Sequence, residues 1–177
     1  MLIVSDTSPI LNLVAVERLE LLKDLYGSIV IPPAVSAELH DNGTFLAVDW
    51  IQVVEPANRA AVEALRAELD AGESEAIVLA QQLNAALLLI DERLGRRAAA
   101  QLGLGVTGLS GVLAEAKKRR IIPACAPLLD DMIGRAGFWI GARLRSDYLK
   151  ALGEIDAQAS SLATVLAGFE GIPETIE

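Results

Sequence analysis

The sequence predicts an α/β domain of three layers, α/β/α, built on a central, mainly parallel sheet with extra helices on its C-terminal side. Three observations carry this. The runs Leu2-Ile3-Val4, Ile29-Val30-Ile31 and residues 86–90 are wholly apolar and lack the alternation of half-exposed strands, which marks strands buried on both faces. Helix-length stretches separate these runs, so the strands are joined by crossovers, as parallel neighbours require. Hydrophobic residues make up 53% of the 177, enough to bury a full core.

Residues 2–5 read as the first strand, ended by Asp6. Thr7 and Ser8 are N-cap types and Pro9 suits a first turn. The apolar positions Leu11, Leu13, Val14, Leu19, Leu22 and Leu25 then predict one helix closed by Gly27. A second strand over 28–31 stops at Pro32-Pro33, a helix covers 34–39, and Asp41-Asn42-Gly43 turns the chain. Residues 50–54 suit a short edge strand. Residues 60–69 read as helix, Ala71-Gly72 as a break, and 73–83 as helix again. The buried strand over 86–90 ends in Asp91-Glu92, followed by a helix over 93–102 and a strand within 103–106. Helices are expected over 112–120, 126–135 and 140–152, with Phe138 and Trp139 as packing residues at a turn. From Ile155 the periodicity weakens toward a loose helix and a frayed end. Residues 1–153 therefore form one domain, its C-terminal helices starting near 109, and 154–177 an extension.

Composition removes several kinds of chemistry. The single Cys125 forbids an internal disulfide and a thiolate zinc cluster, and the single His40 forbids a multi-histidine metal site and argues against a serine hydrolase. Asp6 interrupts the apolar start, and Gln81, Gln82 and Asn84 interrupt the longest apolar stretch, so neither a signal peptide nor a membrane span is expected. A cytoplasmic protein is the resulting expectation. The net charge of −9 opposes a broad electrostatic grip on nucleic acid.

In parallel sheets the functional crevice lies beyond the carboxyl ends of the strands, where both Asp6 and Asp91 fall. An acid that ends a central strand suffers desolvation unless it is used. Glu38, on the helix after the second strand, and Glu73, in the first turn of the helix before the Asp91 strand, are candidates for the same edge. Four converging carboxylates raise one another's pKa values and make sense chiefly around a divalent cation. With no histidine or cysteine among them, they suit Mg²⁺ or Mn²⁺, ions that act on phosphate esters. Each acid also has a plainer role: Glu73 and Glu75 as helix-start charges, Glu38 as a solvated helix residue.

In this order the segments LIVSDTSPIL, IPPAVSAEL, GESEAIVLA and LLLIDERLGRRAAAQLGLGVTG resemble the PIN-domain family, close to the VapC-like toxin ribonucleases and their prokaryotic relatives. They span residues 2–108; AKKRRIIPACAPLLDDM and GFWIGARL carry the resemblance to about 153, and 154–177 match nothing known. The resemblance implies a Mg²⁺- or Mn²⁺-dependent endoribonuclease, the toxin of a toxin–antitoxin pair, with an antitoxin partner and a homodimeric state. It assigns Asp6, Glu38, Glu73 and Asp91 as the metal-binding and catalytic acids, with Thr7 as the hydroxyl after the first acid. Periodicity does not separate Glu73 from Glu75; the family's layout favours Glu73 and leaves Glu75 beside the ligands. Two departures stand out: the third acid is Glu where the toxins often have Asp, and Ile90 stands where Thr is frequent.

Arg93, Arg96 and Arg97 follow Asp91 on one helix and are candidates to contact an RNA backbone. Lys117-Lys118-Arg119-Arg120 reads more simply as the cationic end of a helix. The competing reading is a non-catalytic module of the same fold that binds nucleic acid or a protein partner. A phosphotransfer domain with Asp6 as nucleophile fits poorly, since Ser5 and Ser8 occupy the places where such domains need further acids.

Overall fold

The computed structural model describes residues 1–44 and 48–155; the expected extension beyond Ile155 lies outside the described residues. The elements run β1 (Ile3–Ser5), α1 (Thr7–Ala15), α2 (Glu20–Tyr26), β2 (Ile29–Ile31), α3 (Pro33–Asp41), β3 (Ile51–Val53) and α4 (Arg59–Leu65). They continue with α5 (Ala71–Gln82), β4 (Leu87–Leu89), α6 (Arg93–Gln101), β5 (Val106–Thr107), α7 (Leu109–Lys118), α8 (Ala126–Arg135) and α9 (Ala142–Ala151). Every strand pairing is parallel, in the order β3-β2-β1-β4-β5. The chain leaves β1 toward β2 on one side and returns to β4 on the other. The switch point, where parallel sheets place their crevices, thus falls between the ends of β1 and β4.

Side chains alternate between the two faces of the sheet. Ile3, Ile29, Ile31 and Leu89 enter one core, shared with α1, α2, α7, α8 and Leu149 of α9. Val4, Val30, Leu88 and Ile90 enter the other, shared with α5 and Ala99 of α6. The core is aliphatic, as a chain with 4% aromatic residues requires. A fully buried Leu or Ile in it contributes about 1.5–3 kcal/mol through its burial.

Three local readings need correction. The apolar run after Asp6 forms two helices, because Glu17 takes a positive φ of 57° and turns the chain between α1 and α2. Asp6, and neither Thr7 nor Ser8, stands at the N-cap of α1. Trp139 is 85% exposed, whereas Phe138 packs against the core.

Glu154 ties the C-terminal helices to the body. Its carboxylate accepts the amides of Cys125 (2.6 Å) and Ala126 (2.7 Å) at the start of α8, and Lys117 Nζ stands 2.9 Å away. Lys117 also donates to the Leu152 carbonyl, and Arg119 to that of Leu25, so part of the basic run is structural. Burial alone would raise the pKa of Glu154, but these amides and the ammonium outweigh it and hold the carboxyl below its ordinary value. The stability this contributes is present above the unfolded pKa and lost as pH falls through the lowered native one. Glu154→Gln should therefore cost about 2 kcal/mol at neutral pH in chemical denaturation, and the deficit should shrink as the medium is acidified.

Candidate active site at the carboxyl edge of the sheet

Asp6 is delivered by β1, whose register with β4 pairs Ser5 with Leu89, and its amide donates to the Leu89 carbonyl at 2.9 Å. The side chain is 3% exposed. Burial, only partly opposed by the Thr7 amide, acts together with the charges of Asp70, Glu73 and Glu38 to raise its pKa to about 7.

Glu38 reaches this neighbourhood from α3. One of its carboxylate oxygens accepts from the Thr7 hydroxyl, the other from the Gly72 amide at 3.0 Å. Thr7 thus holds Glu38 at the first turn of α1, consistent with its expected place beside the acids.

The start of α5 differs from the sequence reading. Asp70 is its N-cap: Asp70 Oδ1 accepts the Glu73 amide at 2.8 Å, and the Glu73 carboxylate faces back to the Asp70 amide. Ala71 and Gly72 are therefore the first helical residues and not a break. Gly72 is there for space, since a Cβ on it would lie 2.6 Å from Glu38 Oε2. Glu73 is buried, with Oε1 lacking any hydrogen-bond partner. Burial raises its pKa, and the charge of Asp70 adds to the effect.

Glu75, two residues on, is equally buried but fully engaged. It accepts the Ala34 amide at 2.9 Å and an Arg59 guanidinium N–H at 2.7 Å. The pair that periodicity left open is thus separated by hydrogen bonding: Glu73 keeps an oxygen free and Glu75 does not.

Asp91 follows β4 but turns to the opposite face. Ile90, fully buried, lies on the α5 side of the sheet, so the next residue points toward α7. There Asp91 Oδ1 accepts the Leu109 amide at 2.8 Å, while Oδ2 is buried without a partner. Burial raises its pKa against the opposing effects of that amide and of Arg96. The structure thus couples Asp6, Glu38 and Glu73 electrostatically, adds Asp70, and sets Asp91 at the neighbouring strand end. Among the described residues no three His, Cys, Asp or Glu side chains stand at metal-holding spacing. The donor chemistry fits a hard cation all the same: oxygen ligands only, desolvated, with two buried oxygens unsatisfied.

Glycines make this packing possible at Glu38, Glu73 and Asp91. A Cβ on Gly95 of α6 would collide with Glu73 Oε1, and one on Gly108 would collide with Asp91 and lie 2.8 Å from Arg96 Nη1. Ile90 Cδ1 also lies against Gly95, so this side chain belongs to the core; only its carbonyl faces Arg96, whose Nη1 donates to it at 3.3 Å. Arg93 and Arg97 are exposed on the same helix.

Sequence reasoning missed Asp70 and Arg59. Asp70 carried a signal, the Asp-x-x-Glu spacing of a capping box before an apolar run. Arg59 carried none, because its partner lies 16 residues away.

The family model for DUF3368, described as a PIN domain, matches residues 2–154. Among solved structures, a PilT N-terminus domain protein from the hyperthermophilic archaeon Sulfolobus solfataricus P2 superposes with a TM-score of 0.53 at 24% identity. The alignment covers 66% of this chain and 93% of that one, a likeness of fold. No curated protein matches the chain.

The raised pKa of Asp6 has a measurable consequence. Its carboxyl titrates near 3.8 when exposed and near 7 when folded. A raised native pKa favours the fold below the unfolded value and loses that contribution as pH rises through the native one. Without metal, Asp6→Asn should therefore gain stability over wild type as pH rises from about 4 to about 8, by at most about 4 kcal/mol. Thermal unfolding in a chelator across this range measures it.

Proposed function

The chain belongs to the PIN-domain family, generally a nuclease fold, and from that premise we propose that it is a divalent-metal-dependent endoribonuclease hydrolysing RNA phosphodiester bonds. The observation that carries the proposal is the desolvated acid group at the sheet's switch point, with Glu73 Oε1 and Asp91 Oδ2 unsatisfied.

Asp6, Glu38, Glu73 and Asp91 would hold Mg²⁺ or Mn²⁺. When bound, such an ion supplies Lewis acidity at the phosphodiester and a nucleophile drawn from water. The protein's own part is positional. Asp6 is aimed by the end of β1, Glu38 is oriented by Thr7 and Gly72, and Glu73 by the α5 capping box. Glu75 holds the helices behind them and binds no ion itself. Arg93, Arg96 and Arg97 bind the RNA backbone beside this edge and answer the objection raised by the net charge of −9: attachment is local and salt-sensitive.

In RNA cleavage assays with Mg²⁺ or Mn²⁺, Asp6→Asn should lower the rate by at least about 100-fold. Equal cleavage by both proteins would reject the site. Each phosphate contact on a single strand adds about 0.7 to the slope of log affinity against log salt. Replacing Arg93 and Arg97 together by Ser should therefore flatten that slope by about 1.4, read from binding titrations at several ionic strengths.

A second reading, a non-catalytic PIN-fold module, is favoured by the bonds that already occupy Glu38 and Glu73. Calorimetry with Mn²⁺ separates the two, since a protein that takes up no ion cannot run this chemistry. Within the first reading, the chain acts as the toxin of a toxin–antitoxin pair. The exposed Trp139 and Leu144 then serve the antitoxin or a second copy in a homodimer. No helix among the described residues is long and apolar enough to cross a membrane; a cytoplasmic place of action belongs to this proposal.

A further inference from the structure

Two carboxylates cross between α3 and α5 in opposite directions. From α3, Glu38 Oε1 accepts the amide of Gly72 in the first turn of α5, at 3.0 Å. From α5, Glu75 Oε2 accepts the amide of Ala34 in the first turn of α3, at 2.9 Å. Ala34 and Glu38 are four residues apart on one helix, and Gly72 and Glu75 three apart on the other, so each pair shares a face. The two bonds are rungs of one ladder, and each places an anion at a helix start, where amide donors are otherwise orphaned.

The rungs differ in what else they touch. The Glu38 rung borders the acid group through Thr7. The Glu75 rung is backed by Arg59, whose Nη1 stands 2.7 Å from Glu75 Oε1. The Glu75 side chain is only 9% exposed, so without Arg59 it would be a charge with little water and half its partners. Arg59 engages one oxygen of the Glu75 carboxylate and so holds the other where it meets the Ala34 amide.

We propose that Glu75 and Arg59 are positioning residues for the proposed metal site: they lock α3 against α5 and thereby fix where the Glu38 carboxylate stands. This rests on the reading of Glu38 as a metal ligand. It assigns the two neighbouring buried acids different duties, Glu73 toward the ion and Glu75 toward the helix pair.

The test uses the full chain as wild type, Arg59→Met, Arg59→Lys and Glu75→Gln. Amide hydrogen exchange at Ala34 and Gly72 is measured in a chelator, and Mn²⁺ affinity by the paramagnetic signal of free ion. Arg59→Met and Glu75→Gln should speed exchange at both amides and weaken Mn²⁺ binding by about tenfold or more, the usual cost of losing a group that orients a ligand. Arg59→Lys, which keeps the charge, should restore both readouts to within about threefold. Faster exchange at Ala34 with Gly72 unchanged would mean that the rungs are independent, and would overturn the proposal. So would exchange accelerated uniformly across the fold, or a Lys variant no better than Met. Wild type that binds no Mn²⁺ would instead reject Glu38 as a ligand, while the exchange data would still decide the coupling of the helices.

Discussion

The carboxyl edge of this sheet is organised by one constraint: a carboxylate carried on a central buried strand has almost no water to solvate it. Asp6 ends β1 at 3% exposure, and its neighbours Glu73 and Glu38 are acids as well. Repulsion and desolvation both oppose charge there, and the fold supplies the acids with hydrogen-bond donors in place of water. They are mostly backbone amides at helix starts. Glu38 takes that of Gly72, Glu75 that of Ala34, and Asp91 that of Leu109. A parallel sheet turns the beginnings of its helices toward the strand ends, so acids and orphan donors meet at one rim.

The same constraint explains the glycines at this rim. Gly72, Gly95 and Gly108 each lie where a Cβ would strike the carboxylate of Glu38, Glu73 or Asp91. The acids are thus packed against helix and loop backbone, with little freedom to turn. Glu73 Oε1 and Asp91 Oδ2 remain unsatisfied, and that residue of uncompensated polarity is what a hard cation would relieve. Arg96, beside Asp91 and bonded to the Ile90 carbonyl, brings a fixed positive charge to the same rim.

The alternation of a strand decides which acids can work together. Asp6 and Ile90 are level across β1 and β4, on the side of α5; Asp91, one residue on, turns to the side of α7. Two acids that look equivalent along the chain therefore sit on different walls of the crevice. Glu73 and Glu75 also look equivalent, both in the first turns of α5 and both buried, yet one faces α6 and the other bridges α3 and α4.

Apolar runs without alternation, separated by helix-length segments, were enough to read the parallel sheet and the placing of Asp6 and Asp91 at strand ends, and the edge strand expected over 50–54 forms at Ile51–Val53. These features depend on local periodicity and on the need to bury aliphatic side chains, both written along the chain. Other features depend on neighbours distant in sequence. The turn at Glu17, the helical start at Ala71-Gly72 and the engagement of Glu75 by Arg59 are of this kind. Gly72 reads as a helix breaker until Glu38, 34 residues earlier, is seen to need its space. Residue order determined which acids could reach the rim; only packing of α3, α5 and α7 decided which oxygens were left without partners, because a hydrogen bond is settled by distance in space and not along the chain.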